Sequence, residues 1–344
     1  GQVRDQLLGL KSQDFDYVII GSTPAELKHL GLVQVGISFP VFIDPETQDE
    51  YALARKEIKS GTSHKDFQFI FDSSITLEED LYRRDFTINA LCMSTDGKII
   101  DCFNGLKDLQ LKILRHISPH FLEDPLRIFR AAKFVARLQF TLAPETLEIC
   151  KKMVQQNMMQ HLSAERIKAE IDDALLTHRF ELFLNVLQDM EMTNHQIIKD
   201  FPHPEVLNQI KDLDFKWMIA GGILPLDSSE KILQWKNTYR LKNTIEKSVK
   251  ILQTFLMLVK CRQLYEPEVL PFLSYFQDGK KEDLINHFSQ LIKTFKVVQD
   301  VGKEWLQCQK ILQHFKQLQW PKDVTSAEKI LNIRMEWLNK LRSQ

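Results

Sequence analysis

The chain has 344 residues, of which 44% are hydrophobic and 26% charged, ordinary for a globular protein and too long for one small core. No apolar run approaches the ~18 residues a membrane helix needs, so a membrane-spanning class is not expected. The net charge of −1 advertises no nucleic-acid partner, yet residues 1–200 carry 23 Lys and Arg against 30 Asp and Glu, and residues 201–344 carry 22 against 16. That asymmetry suits an acidic half holding cations beside a basic half holding phosphate backbone, or simply two solvated faces. Five scattered cysteines, at 92, 102, 150, 261 and 308, form no CxxC pair. They argue against a disulfide framework or a zinc site and point to a reducing cytoplasm. The opening Gly1-Gln2-Val3-Arg4-Asp5 does not read as a secretory signal.

In chain order, β-like runs predict strands at 16–20, 39–43, 51–55 and 98–101. A turn at 44–47 separates the second and third, and Asp96-Gly97 precedes the fourth. Helices are predicted at 24–30 and 76–94, the second from apolar positions at 77, 81, 88 and 91. The segment 55–72 reads as a polar loop. After about residue 115 the character changes, and a long helical pattern starts at Glu123. Asp124 and Pro125 look like the N-cap and first position of a long helix. Amphipathic helices follow at 163–176, 180–190, 241–260 and 282–299, with breaks at 201–204, Gly221-Gly222, Glu266-Pro267, Asp278-Gly279 and Trp320-Pro321. The expected organisation is a small mixed α/β head followed by an all-helical remainder, without repeats.

Asp14-Phe15-Asp16 opens the first strand. Side chains alternate along a strand, so Asp14 and Asp16 are expected on one side. Paired carboxylates repel unless a cation lies between them, and Mg²⁺ takes one or two carboxylates plus substrate phosphates. Phosphoryl transfer needs such a site. Alone, a DxD pair is more often a solvated turn. Four further segments follow in order: Arg83-Arg84-Asp85-Phe86-Thr87-Ile88-Asn89, then Asp101 through Gly105 to Asp108, then Glu123-Asp124-Pro125-Leu126-Arg127-Ile128-Phe129-Arg130, then His161-Leu162-Ser163-Ala164-Glu165-Arg166-Ile167.

With Gly1-Gln2-Val3-Arg4-Asp5, this ordered series resembles the bacterial class II tRNA nucleotidyltransferases, the CCA-adding enzymes, over about residues 1–200. The resemblance implies an α+β fold. A small mixed-sheet, polymerase-beta-like nucleotidyltransferase head (1–115) precedes a helical neck with the nucleotide-selecting element (116–200), a body (201–270) and a tRNA-binding tail (271–344). It implies that Asp14 and Asp16 bind catalytic Mg²⁺, with Glu50 as a further carboxylate near the metals or else an ordinary exposed strand residue. It implies nucleotide contacts from Gly1 and Arg4 to phosphate. Arg84, Asp85 and Asn89 would hold the sugar and triphosphate. Asp124 and Arg127 would bind the base edge. Arg130 and Lys133 continue that basic stripe. Asp124 is equally well placed as an ordinary helix cap. Lys133 departs from the family's arginine and loses its planar fork.

The implied substrates are tRNA, ATP and CTP, with C, C and A added in sequence in the cytoplasm. The polar loop at 55–72 favours full CCA addition. A poly(A) polymerase or A-adding enzyme, or a catalytically silent tRNA-binding protein, are the competing readings. Only one glycine of the family's Gly-Gly pair is present, which reads as a missing short native N-terminus. None of the ten histidines is followed by Asp, so the metal phosphohydrolase domain of some relatives is not expected. Asp101, Gly105 and Asp108 read as a structural connector. Trp235 reads as core, while Lys242, Lys247 and Lys250 offer a basic face for RNA. Oligomeric state is not readable.

Overall fold

The structure is a computed structural model that describes residues 1–11, 16–35, 41–59, 67–193, 195–208, 210–224 and 228–260, with Asn332, Met335 and Glu336. Asp14, the predicted helix at 282–299 and the breaks beyond residue 260 lie outside the described residues. The chain divides into two compact units, Gly1–Ala174 with Glu181–His195, and Leu175–Phe180 with Gln196–Gln344.

The first unit begins with helix α1 (Gln2–Leu7), strand β1 (Asp16–Ile19), helix α2 (Pro24–His29) and strands β2 (Val33–Val35), β3 (Val41–Ile43) and β4 (Glu50–Leu53). The strands form one sheet in the order β1-β4-β3-β2, with β1 parallel to β4 and the other pairs antiparallel. Asp44 Oδ1 accepts from the amides of Glu46 (2.8 Å) and Thr47 (3.3 Å), which turns the chain between β3 and β4. Thr23 and Glu26 cap α2 reciprocally, with Pro24 in its first turn. Leu27 of α2 packs with Phe42 and Leu53, joined by Ile19 and Tyr51. Alternation puts these strand residues on one face of the sheet and Asp16 and Glu50 on the other.

Two predictions for the stretch 55–94 need correction. The expected loop at 55–72 contains β5 (Lys56–Lys59) and β6 (Phe67–Ile70), paired antiparallel. Charged residues in the first strand mask its β pattern. The expected helix at 76–94 is only α3 (Leu77–Tyr82). Its spacing was helical, but Phe86 leaves the helix to form a bridge with His116 and to bury its ring against Phe121 and Phe134. Tertiary burial thereby overrides local periodicity. Thr87–Asn89 then makes one 3₁₀ turn, followed by the antiparallel pair β7 (Cys92–Met93) and β8 (Ile99–Ile100).

The connector at Asp101 is a packing device. Its carboxylate accepts from the amides of Gly105 (2.8 Å) and Leu106 (2.9 Å) at the start of α4 (Gly105–Leu111). A Cβ on Gly105 would lie 2.4 Å from the Thr87 carbonyl oxygen, so only glycine fits. Buried Asp108 accepts from Thr87 Oγ1 (2.8 Å) and Arg115 Nε (3.1 Å). Strand β9 (Ile113–Leu114) follows, then α5 (Arg127–Leu138) and β10 (Thr141–Leu142), which pairs with β9. Helix α5 starts later than Asp124 and Pro125 predicted, because a 3₁₀ turn over Pro119–Glu123 ends at Asp124. Helices α6 (Pro144–Gln155), α7 (Ala164–Leu176) and α8 (Phe180–Asp189) continue the chain.

The described part of the second unit is helical: α9 (Gln196–Asp200), α10 (Pro204–Leu207), α11 (Leu213–Ile223), α12 (Ser229–Thr238) and α13 (Asn243–Lys260). Phe180, Phe201, Trp217, Trp235 and Tyr239 form its aromatic core. The break predicted at Gly221-Gly222 falls one residue later, since α11 takes in both glycines and ends at Ile223. Gly221 serves close packing: a Cβ there would lie 2.7 Å from the Trp235 ring and 2.9 Å from Val249. Among the described residues no helix is long and apolar enough to cross a membrane.

Candidate active site

Helix α5 carries Arg127, Arg130, Lys133 and Arg137 along three-residue and four-residue steps, which places their side chains on neighbouring rows. Its apolar residues, Ile128 through Phe134, are buried and fix the helix in the unit. Arg130 donates to Asp85 Oδ2 through Nε at 2.7 Å and Nη2 at 2.5 Å. Asp85 Oδ1 accepts from Asn89 Nδ2 at 3.0 Å and from the Phe86 amide at 2.8 Å. Asp85 and Asn89 meet across a turn and a 3₁₀ helix, not on the α-helical face expected from sequence. Arg4 Nη1 donates in turn to Asn89 Oδ1. Arg4 also contacts Asp5 Oδ1 through Nε (2.8 Å) and Nη2 (2.7 Å).

Phe134 is shared by the cations. Arg4, Arg130 and Lys133 lie over its ring at 5.0, 5.6 and 5.3 Å. Burial alone would push the Asp85 carboxyl up, but the Arg130 charge and the hydrogen bonds from Asn89 and Arg130 outweigh it and hold it at about 2. Asp85 in return raises the Arg130 pKa. Burial lowers that of Arg4.

Lys133 joins the group indirectly. Its Nζ lies 2.5 Å from Glu170 Oε2 and 3.1 Å from Asp173 Oδ2, both on α7, and Glu170 Oε1 is 3.7 Å from Arg130 Nη1. Asp124 pairs with Arg166 at 2.8 Å and accepts from the Leu126 amide at 3.1 Å. Arg127 donates to the carbonyls of His120 (2.7 Å) and Arg83 (2.5 Å). Those two residues help line a cleft of about 440 Å³ with Lys56, Thr76, Glu78, Glu79 and Tyr82. Arg84 pairs with the buried carboxylate of Asp80 at 3.1 Å, which also takes Arg83 at 2.6 Å.

Asp16 is exposed at the start of β1 and stands in register with Glu50 of β4. Paired positions on adjacent strands point to the same side, as the stacked rings of Tyr17 and Tyr51 one residue on illustrate, 4.9 Å apart. Two exposed carboxylates on the sheet face away from the core are hard oxygen donors of the type that Mg²⁺ takes. Among the described residues no three His, Cys, Asp or Glu side chains gather as a ready metal cage. The amino end at Gly1 lies within electrostatic reach of Arg4, Arg84 and Asp16.

The described candidates therefore fall into four groups. Arg4, Asp85, Asn89 and Arg130 touch directly. Lys133 meets Arg130 through Glu170. Arg127 and Asp124 lie at the start of α5 with separate partners. Gly1, Arg84 and Asp16 are linked electrostatically. Sequence reasoning missed Asp5, Phe134, Arg137, Glu170 and Asp173. The basic spacing of α5 could have indicated Arg137. Glu170 and Asp173 signal themselves only through tertiary contact.

Residues 1–115 match the Poly A polymerase head domain. A CCA-adding enzyme of Actinobacillus succinogenes is 52% identical over 190 residues, 54% of this chain and 48% of the relative. A multifunctional CCA protein of Psychromonas ingrahamii is 50% identical over 192 residues, 55% of this chain and 47% of the relative. The chain thus spans about half the length of the curated relatives it matches. A solved tRNA-processing enzyme with CTP has the same fold, with a TM-score of 0.66 at 23% identity, covering 98% of this chain and 95% of that one.

Proposed function

We propose, from the premise that residues 1–115 form a Poly A polymerase head domain, that the chain is a cytoplasmic, template-independent nucleotidyltransferase. It adds C, C and A in turn to the 3′ end of tRNA, using CTP and ATP. The observation that carries this reading is the Arg130–Asp85–Asn89–Arg4 network, in which all but Arg130 are buried. It joins Arg130 of helix α5 to the polar turn of the head and, through Asn89, to Arg4. Identity of about half over some 190 residues to a CCA-adding enzyme and to a multifunctional CCA protein supports the same reading.

In this account the terminal 3′-hydroxyl of tRNA attacks the α-phosphate of the incoming nucleotide, and pyrophosphate leaves. Asp14 and Asp16 would hold Mg²⁺, with Glu50 beside Asp16, and the reaction is of the two-metal phosphoryl-transfer kind. The ions, when bound, supply positive charge against the triphosphate oxygens. Gly1 and Arg84 face the phosphates. Asp85 and Asn89 hold the ribose; both Asp85 oxygens already accept from Asn89, the Phe86 amide and Arg130, so a 2′-hydroxyl would share or replace one of those bonds. Arg4 is buried and already bonded to Asp5 and Asn89, so it belongs to the nucleotide site by ordering Asn89. Asp124 and Arg127 offer an acceptor and a forked donor to the base edge. Arg130 orients Asp85, and Lys133 supports Arg130 through Glu170.

The test uses tRNA transcripts ending at the discriminator base, at -C and at -CC, with CTP and ATP supplied singly and together. Growth to -CCA that stops there, and that disappears in Asp14→Ala, supports the proposal. Long A-tracts from ATP alone would replace it with poly(A) addition. Retained tRNA binding without any extension would replace it with a silent RNA-binding role.

A further inference from the structure

Arg137 was not among the residues the sequence singled out, yet it closes a ring. It lies two helical turns beyond Arg130 on α5 and donates through Nη2 to Asp5 Oδ2 at 2.9 Å. Asp5 gives its other oxygen to Arg4, and Arg4 donates to Asn89. Asn89 donates to Asp85, and Asp85 takes Arg130 on the same helix. Asp5, Arg4, Asn89 and Asp85 are all buried, whereas the Arg137 side chain is 44% exposed. Among the described residues Asp5 is the one side-chain partner of Arg137.

We infer that Arg137 is a positioning residue of the nucleotide site, acting through Asp5 and Arg4 on the Asn89–Asp85 pair. The inference rests on the proposal that this pair holds the ribose. A carboxylate with one oxygen held by Arg4 and the other by Arg137 cannot rotate without breaking a charge-assisted hydrogen bond. Asp5 thereby fixes the azimuth of the Arg4 guanidinium. Arg4 has its ring-facing side on Phe134 and delivers Nη1 to Asn89 from one direction. Asn89 must then present its amide nitrogen to Asp85. Without Arg137, Asp5 is held from one side only and the Asn89 amide gains rotational freedom. Asp85 remains gripped by Arg130, so nucleotide still binds. The property that suffers is the direction of the acceptor offered to a 2′-hydroxyl.

The test is the ratio of dCTP to CTP dissociation constants, measured by titration of the full chain without catalysis, for wild type, Arg137→Met and Arg137→Lys. The expected result is that Arg137→Met lowers this ratio about fivefold, the scale of one weakened hydrogen bond to a charged group. Arg137→Lys should recover part of it, and the unfolding midpoint should barely move because Arg137 is 44% exposed and the buried Asp5 keeps Arg4 as its partner. A lower unfolding midpoint with an unchanged ratio would make Arg137 merely structural and overturn the inference. So would an unchanged ratio with an unchanged midpoint. If wild type binds CTP and dCTP equally, the ribose assignment falls and takes the inference with it. If wild type binds neither, the proposed function itself fails.

Discussion

Arg130 directs two of its nitrogens, Nε at 2.7 Å and Nη2 at 2.5 Å, to the single oxygen Oδ2 of Asp85. The other oxygen is thereby left to Asn89 and the Phe86 amide. One carboxylate thus ties helix α5, the 3₁₀ turn and the Phe86 backbone together. Its low pKa is the thermodynamic record of those contacts.

Asp85 should make stability depend on acidity in a defined window. Its folded pKa is about 2, below the unfolded value of about 3.9. A depressed carboxyl contributes stability that is present above the unfolded pKa and is lost as pH falls through the folded one. The contribution, about 3 kcal/mol, should therefore disappear between about pH 4 and about pH 2. Urea unfolding of wild type and Asp85→Asn across that window checks this. The difference between them should shrink as pH falls, and a constant difference would contradict the assignment.

Lys133 is nearly buried between Glu170 and Asp173. Lys133→Met should cost about 2 kcal/mol, because a buried carboxylate loses its main partner while Arg130 at 3.7 Å still offsets part of the loss. Lys133→Met combined with Glu170→Gln should recover part of that cost, since the stranded charge is then gone. Equilibrium denaturation of the single and double variants measures the coupling. Additive effects would show that the Lys133–Glu170 contact contributes little.

Gly221→Ala tests packing in the second unit. Replacing a helical glycine normally gains up to about 1 kcal/mol. Here the new methyl would lie 2.7 Å from the Trp235 ring, and overpacking costs about 1–3 kcal/mol. The clash should win, so Gly221→Ala is expected to be net destabilising and to change tryptophan fluorescence. A stabilised variant would mean that the ring moves aside freely.

Lys216 is fully buried, with Nζ donating to the Leu175 carbonyl, and burial pulls its pKa down to about 8. The unfolded value is about 10.4. A lysine whose folded pKa is lowered pays for its charge below that pKa, so stability should rise between about pH 8 and about pH 10. Lys216→Met should flatten that rise. Denaturation midpoints at the two ends of the window decide it, and a parallel rise in the variant would assign the effect to another group.

The head was legible where local chemistry dominates. The strand after Asp14, the Pro24 helix with its Thr23 cap and the turn at Asp44 all follow from short-range signals. The helix at 76–94 misled because its apolar spacing is helical, whereas Phe86 is claimed by a pocket formed with residues 35 and 48 positions away. Gly221-Gly222 marks the end of α11 to within a residue, but nothing in the sequence signals that Gly221 also admits Trp235. Within the candidate site, Arg4, Asp85, Asn89 and Arg130 could be named from motif order. Their mutual bonding could not, because it spans 85 positions between Arg4 and Asn89 and 45 between Arg130 and Asp85. Glu170, which completes the charge balance of Lys133, stands on an amphipathic helix where a glutamate carries no signal of its own.

The central claim is that the Arg130–Asp85–Asn89 cluster belongs to a site that takes the nucleotides CTP and ATP. The most direct measurement is a calorimetric titration of the chain with CTP, ATP, UTP and GTP in Mg²⁺, for wild type and Asp85→Asn. The account predicts saturable binding of CTP and ATP, much weaker binding of UTP and GTP, and a loss of at least about tenfold in Asp85→Asn. Equal binding of all four nucleotides, or CTP affinity unchanged in Asp85→Asn, would contradict it.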